Sequence, residues 1–135
     1  MPIARQLASN WWGVGCKISG PRGINLASGI CFALALAWSK SHSSMQYFNG
    51  LMEYYRVRLV RNRPFSKHNV RTGAGSIPIG MAIYDALINE RAVEECIRRL
   101  TVENWATFVP EEKVVNALRD AGVSVKNFDR QRFIR

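Results

Sequence analysis

The chain has 135 residues, of which 47% are apolar, and it carries 19 Lys and Arg against 10 Asp and Glu, a formal net charge of +9. This length and apolar content are enough to form one hydrophobic core, so we expect a single domain over residues 1–135. They exclude a multi-domain enzyme, a disordered tail and a repeat array.

The positive charge is concentrated in the first half of the sequence. Residues 1–75 contain ten basic side chains and one acid, Glu53, whereas residues 76–135 contain nine side chains of each sign. An excess of this kind favours an anionic partner, such as nucleic acid, an acidic protein surface or a membrane surface.

The sequence predicts a loop near the start of the chain, followed by a first helix. Residues 10–24 are rich in glycine and include Pro21, which is typical of a loop. A first helix is predicted over about residues 28–41, with Ser28 as its N-cap. Because residues 30–38 are apolar on every side, this helix should be the buried centre of a compact, mostly α-helical domain.

The middle of the chain predicts three further helices. The second runs over about residues 44–61 with an apolar stripe, although the alternation at residues 56–59 leaves a strand possible there. Residues 62–76 form a basic loop. Pro78 marks the start of the next helical stretch, and a break near Asn89 divides that stretch into two helices.

The last third of the chain combines a possible β element with a well-marked helix. A small β element is possible near residues 101–109, where β-branched and aromatic residues are frequent, or near residues 123–127. Pro110 opens the final helix and Gly122 ends it. Residues 126–135 form a basic tail.

The four tryptophans are expected mostly in the core. They are Trp11, Trp12, Trp38 and Trp105. Because adjacent side chains cannot both easily point inward, one of the pair Trp11 and Trp12 can be exposed for a partner.

The cysteines and the start of the chain bear on its compartment. Cys16, Cys31 and Cys96 are too few for a disulfide framework, and with His42 and His68 they match no zinc pattern. We therefore expect reduced thiols, no metal and no cofactor. The expected location is the cytoplasm or, for an effector, the interior of a host cell.

The first ten residues contain no apolar stretch typical of a signal peptide. The longest apolar run, nine residues, is far shorter than the roughly 20 that span a membrane, so no membrane span is expected.

Cys31 is the first candidate for chemistry. With Ser28 as N-cap, Cys31 occupies the third position of the helix, where the helix dipole and free backbone N–H groups lower the pKa of a thiol and can form an oxyanion hole. The alternative is a buried cysteine that only fills the core, which is common for free cysteines.

The segment around Cys31 resembles the nucleophile motif of the YopT-like cysteine proteases, a papain-like group of bacterial effectors. The matching positions over residues 29–38 are Gly29, Ile30, Cys31, Leu34 and Trp38. The resemblance implies that Cys31 is the nucleophile of a thiol-dependent peptidase, with Asn25 near the position of the family's oxyanion-hole residue. It covers about ten residues of the chain.

A thiol protease also needs a histidine base and a group to orient it. His42 lies eleven residues after Cys31, about 16 Å away along one helix, which is too far for a hydrogen bond. His68 is the only plausible base, and its neighbours Lys67 and Arg71 disfavour an orienting carboxylate. The His–Asp pair of the family is not found.

Residues 56–71 are the second candidate site. They contain six basic side chains and no acid: Arg56, Arg58, Arg61, Arg63, Lys67 and Arg71. Interleaved with Tyr54, Tyr55 and Phe65, these cations are the components of phosphate binding and single-strand recognition. A solvated basic face is the alternative, and no motif for sequence-specific readout is found.

The sequence therefore predicts a small basic helical module that binds an anionic partner through residues 56–71. The partner would be nucleic acid, a ribonucleoprotein or an acidic protein surface, as for inhibitory or accessory proteins of phage or effector type. The alternative function is a papain-like cysteine peptidase with Cys31 as nucleophile. A purely structural subunit is the third possibility, and the oligomeric state is left open.

Overall fold

The computed structural model of the protein describes residue 12, residues 15–61, residues 76–126 and residue 128, apart from the side chains at 58–61. The elements in chain order are β1 (Lys17–Ser19), α1 (Gly23–His42), α2 (Met45–Arg61), α3 (Ser76–Leu87), α4 (Arg91–Glu103), β2 (Phe108–Pro110) and α5 (Glu111–Ala121). This part of the chain is mostly α-helical with one small sheet, which confirms the predicted fold class.

Helix α1 is the buried centre of the fold, as predicted, but it begins five residues earlier than expected. Arg22, not Ser28, is its N-cap, and the N–H of Leu26 donates to the carbonyl of Arg22 at 2.9 Å. The prediction of Ser28 as N-cap is wrong because the carboxylate of Glu111 accepts the backbone N–H of Arg22 at 2.8 Å and stabilises the earlier start. Because that contact joins residues 89 positions apart, no local sequence pattern predicts it.

Helices α1 and α3 pack closely where they cross, at two glycines. A Cβ on Gly80 would lie 2.6 Å from the ring of Phe32 and 3.0 Å from the carbonyl oxygen of Gly29, and a Cβ on Gly29 would lie 2.6 Å from Ile79. Atoms cannot approach so closely without displacement, so the absence of side chains lets the two helix backbones approach. The apolar faces of both helices bury each other here.

Helix α1 also has the length and hydropathy of a membrane span, and no other helix in the described ranges does. Within its apolar window, 67% of the residues are buried inside the fold. That burial is typical of the core helix of a soluble protein, in agreement with the interpretation of residues 30–38 as a buried element.

Helix α2 confirms the predicted second helix, and residues 56–59 are helical rather than extended. Its inner face places Phe48 and Met52 in the core, and Tyr55 packs its ring edge-on against Phe32 with the ring centroids 4.7 Å apart. The alternation of polar and apolar residues over 56–59 therefore does not form a strand, and α2 continues through these positions.

Helices α3 and α4 are separated at residues 88–90, as the predicted break near Asn89 requires. Helix α3 begins at Ser76, which the sequence placed in the basic loop, so Pro78 is its third residue rather than its first. The remainder of the predicted loop, residues 62–75, lies outside the described residues.

The sheet consists of two short parallel strands, with Ile18 of β1 paired to Val109 of β2. Of the two predicted β regions, residues 101–109 contribute only the start of β2, and residues 123–127 contain no described strand. Strand β1 lies in the segment predicted as loop. Three-residue strands carry too little alternation to be recognised, and their pairing joins distant parts of the chain.

Helix α5 starts and ends where the sequence predicts. Pro110 is its N-cap, and Gly122 is its C-cap with φ of 114°, which only glycine adopts readily. After it, Phe128 is buried, so the start of the basic tail packs on the core. Residues 129–135 lie outside the described part.

Candidate functional site

Cys31 does not lie at a helix N-terminus. Because α1 begins at Gly23, Cys31 is the ninth residue of the helix and its neighbouring N–H groups are used inside α1. The predicted oxyanion hole of free N–H groups is therefore absent at this position, since only the first turn of a helix has unpaired N–H donors.

The surroundings of the Cys31 thiol are those of a core residue. The side chain is 3% exposed, and its Sγ donates to the backbone carbonyl of Trp12 at 3.3 Å. A substrate carbonyl would have to enter the packed interior to meet this sulfur. The thiol thus acts as a buried hydrogen-bond donor.

Asn25 is buried on α1 and does not share a face with Cys31. Six helical residues separate the two by about 9 Å along the axis and about 120° around it. The Asn25 Oδ1 has no hydrogen-bond partner within the described ranges. The geometry therefore does not bring Asn25 and Cys31 together as the protease resemblance implies.

The two histidines lie apart from Cys31 or outside the described part. His42 is exposed at the end of α1, where its Nδ1 lies 3.0 Å from the carbonyl oxygen of Trp38. Its ring stacks on that of Trp38 with centroids 4.5 Å apart. His68, the predicted base, lies outside the described residues.

Packing explains two of the positions that match the protease motif. Gly29 allows the crossing with α3 and Ile30 is fully buried in the core, whereas Trp38 is exposed at the far end of the helix.

Comparisons with models of known protein families, with curated proteins and with solved structures find no match for this chain.

The described cysteines are free, and none belongs to a metal-binding group. In the ranges that the structure describes, no cluster of three or more His, Cys, Asp or Glu side chains could hold a metal ion. Burial raises the pKa of the Cys16 thiol and of the Cys96 thiol, which favours the neutral form of both. These two thiols are therefore poor nucleophiles at neutral pH.

The basic cluster over residues 56–71 is described in part. The Arg56 guanidinium lies 3.3 Å from a carboxylate oxygen of Asp85 on α3, and both side chains are about half exposed. The backbone of α2 includes positions 58 and 61, whose side chains are not described. The other candidate residues lie outside the described part: Arg63, Phe65, Lys67 and Arg71.

The outward surface of α2 carries exposed tyrosines. Tyr47 and Tyr54 are 52% and 54% exposed, and their spacing of seven residues puts them on one face of the helix. The same periodicity places positions 58 and 61 on that face, one and two turns beyond Tyr54. We call the positions 47, 50, 54, 58 and 61 the tyrosine face of α2.

Tyr47 is not among the residues predicted from the sequence, because only Tyr54 and Tyr55 lie next to the arginines of residues 56–71. The sequence signal for Tyr47 was its seven-residue spacing from Tyr54 within a helix whose apolar stripe runs through Phe48 and Met52.

Trp38 and Trp105, which were expected in the core, are instead about half exposed. Trp38 lies in the last turns of α1 on a side that faces solvent, whereas the next residue, Ser39, is buried.

The described part of the protein is close to neutral. Its side chains include ten Lys and Arg and nine Asp and Glu. Almost all of the net charge of +9 therefore belongs to positions 58–71 and to the terminal segments. Five of these basic residues follow the tyrosine face directly in the sequence, at positions 58–71.

Proposed function

We propose that the protein binds single-stranded nucleic acid through the tyrosine face of α2 and the basic segment that continues from it over residues 58–71. The observation that carries this proposal is the alignment of two exposed tyrosines with two arginine positions along one helix face. Aromatic rings stack on unpaired bases, and guanidinium groups bind phosphates, so the face combines both requirements.

The distribution of charge supports the same conclusion. The acid Glu53 lies next to Tyr54 in sequence but about 100° away around α2. Arg56 lies on the side of α2 that faces α3, where Asp85 offsets its charge. The arginines at positions 58 and 61 and those beyond them have no acid among their sequence neighbours up to position 71.

Single strands fit this surface better than a duplex or an acidic protein does. In a duplex the flat faces of the bases are stacked on each other, so exposed tyrosines would have nothing to stack on. An acidic protein would use the arginines but leave the two rings without a role. The proposed location is the cytoplasm, where the three free thiols stay reduced.

The peptidase alternative receives no support from the described geometry. The Cys31 thiol is buried in the middle of α1, and His42 is bound to its own helix. A base supplied by His68 would still have to reach a sulfur enclosed by the core. We therefore give binding precedence over thiol catalysis.

The test is a titration of a fluorescent 12-nucleotide single strand at several salt concentrations. If the five basic residues from position 58 onward each contact a phosphate, the slope of log affinity against log salt should be about −3 to −4. The double variant Arg61→Glu with Arg63→Glu should then lower the affinity severely and flatten the slope.

The matched control is Arg91→Glu with Arg99→Glu, which changes the charge equally on exposed positions of α4. It should reduce the affinity much less than the reversal at positions 61 and 63. Equal losses in the two variants would show that only net charge matters. The proposal would be refuted if the affinity changed neither with salt concentration nor in either double variant. Tighter binding to an acidic protein than to any single strand would also refute it.

A further inference from the structure

The turn between α1 and α2 is a projecting part of the molecule. Helix α1 ends at His42 and α2 begins at Met45, and all residues over 40–47 are exposed except Ser43, which is half-buried. A run of exposed residues that includes two helix ends arises where the chain extends beyond the rest of the fold. We call residues 38–45 the α1–α2 tip.

Local contacts order this tip. The Oγ of Ser44 accepts the backbone N–H of Tyr47 at 3.1 Å, which caps the start of α2. The indole ring of Trp38 is stacked on the imidazole ring of His42, with the two ring planes 8° apart. The indole is therefore held at the surface in the protein alone, without a partner.

The α1–α2 tip exposes two large apolar side chains. Met45 is 79% exposed and Trp38 is 52% exposed. Moving such side chains out of water is favourable, in proportion to the apolar area that is removed. Tryptophan in particular is enriched at the boundary between a membrane and water, because its ring is apolar and its N–H is polar.

The charge on the two helices that form the tip is positive around it. Lys40 is exposed in the last turn of α1, and α1 contains no acidic residue. The first acid after the tip on α2 is Glu53, eight residues beyond Met45. That spacing corresponds to about 12 Å along the helix axis. The tip therefore complements an anionic surface.

A lipid surface fits these features better than a protein or a nucleic acid does. A protein would need a pocket shaped to a projecting tip, whereas fluid lipid closes around any apolar side chain that enters it. A base would need an open ring face, and the His42 imidazole already covers one face of the Trp38 indole.

We propose that the α1–α2 tip binds the surface of a membrane that contains anionic lipid, with Trp38 and Met45 inserted and Lys40 at the headgroups. The contact is peripheral, because α1 stays in the core of the fold and only its end enters the lipid. Position 58, where the basic segment of the proposed function begins, lies about 20 Å from Met45 along α2. The inference therefore goes beyond that function and does not depend on it.

The test is co-sedimentation with vesicles of phosphatidylcholine alone and of phosphatidylcholine with about one third phosphatidylserine. The variant Trp38→Ala removes the indole of the tip. Trp105→Ala is the matched control, because Trp105 is 50% exposed. It lies at the opposite end of α1, beside β1, where the N–H of Ala106 donates to the carbonyl of Gly15 at 2.8 Å.

Further variants separate apolar insertion from charge. Met45→Glu places an acid in the first turn of α2, where the helix dipole favours it, so the melting temperature should not fall although vesicle binding should. Lys40→Glu reverses the cation of the tip, and Arg91→Glu makes the same change at an exposed position of α4. The melting temperature is measured for every variant.

We expect the unaltered protein to bind the vesicles with phosphatidylserine about tenfold more tightly than the neutral vesicles. Trp38→Ala and Met45→Glu should each lose about tenfold in affinity for the anionic vesicles, whereas Trp105→Ala should bind like the unaltered protein. Lys40→Glu should lose more affinity than Arg91→Glu. Equal losses within either matched pair would overturn the proposal.

Two other results would also overturn it. The first is failure of the unaltered protein to bind either kind of vesicle, which would leave the proposed function standing because that function is measured on single strands. The second is normal vesicle binding by Trp38→Ala together with weaker binding of the 12-nucleotide strand, which would assign the tip to nucleic acid instead of lipid.

Discussion

The carboxylate of Glu111 holds Arg22 by two contacts. Its Oε2 accepts the backbone N–H of Arg22 at 2.8 Å, and its Oε1 lies 3.4 Å from the Arg22 Nε. Glu111 is the first residue of α5 and Arg22 is the N-cap of α1. Because β1 and β2 are parallel, both helices begin at the same end of the sheet, so one carboxylate stabilises both N-termini.

The variant Glu111→Ala should therefore destabilise the fold. Both partners are largely buried, so the change removes a desolvated carboxylate together with its contacts to the Arg22 N–H and guanidinium. We expect the free energy of unfolding to fall by about 2–4 kcal/mol. Urea denaturation followed by circular dichroism measures the loss.

The control is Glu112→Ala, in the same first turn of α5 but exposed to solvent. It loses only its interaction with the helix dipole, so its free energy of unfolding should fall by less than about 1 kcal/mol. If the two variants were equally stable, the contact with Arg22 would contribute nothing beyond the dipole.

Gly80→Ala should destabilise the crossing of α1 and α3. The added methyl group would lie 2.6 Å from the Phe32 ring and 3.0 Å from a backbone oxygen, which cannot easily move. Overpacking of this kind costs about 1–3 kcal/mol of folding free energy, measured by thermal or urea unfolding.

The matched change Gly50→Ala should have the opposite sign. It adds the same methyl group at an open helix position, so it should raise the free energy of unfolding by about 0.5–1 kcal/mol. A stabilising Gly80→Ala would mean that the two helices do not approach as closely as described.

Alkaline pH should destabilise the protein through Tyr84. Desolvation raises the pKa of this tyrosine above its ordinary value of 10.0, and the nearby Asp85 carboxylate raises it further. Below the ordinary pKa both the folded and the unfolded protein hold the proton. As the pH rises through and above that value the unfolded chain releases it first, so the free energy of unfolding falls.

The variant Tyr84→Phe tests this explanation by urea denaturation at about pH 8 and about pH 10.5. It should lose less stability between the two pH values than the unaltered protein does. Tyr47→Phe, at an exposed ring, should keep the full decline. If Tyr84→Phe declined as steeply as Tyr47→Phe, Tyr84 would not be the group responsible.

Cys31→Ala should leave strand binding unchanged, because the thiol is a buried donor to the Trp12 carbonyl. The free energy of unfolding should fall by about 1 kcal/mol through the lost hydrogen bond and packing. In the folded protein the partly exposed Cys96 should react with a thiol reagent before Cys31 does. Rapid modification of Cys31, with loss of a peptidase activity, would favour the protease hypothesis instead.

The sequence by itself determined the helical architecture. The apolar run at residues 30–38 predicted a buried central helix, and Pro110 and Gly122 marked the limits of α5, because burial periodicity and caps are local properties. Charge counting alone also placed the cationic segment at residues 56–71. These features need no knowledge of distant contacts.

Only the tertiary structure determined where α1 begins and that Cys31 is a buried residue in the interior of that helix. The start of α1 depends on Glu111, 89 residues beyond Arg22, and a shift of six residues in the N-cap moved Cys31 from the first turn into the helix interior. The pairing of β1 with β2 and the exposure of Trp38 depend equally on distant parts of the chain. Contacts between distant residues carry no local signature, since each is specified by the shape and burial of both partners together.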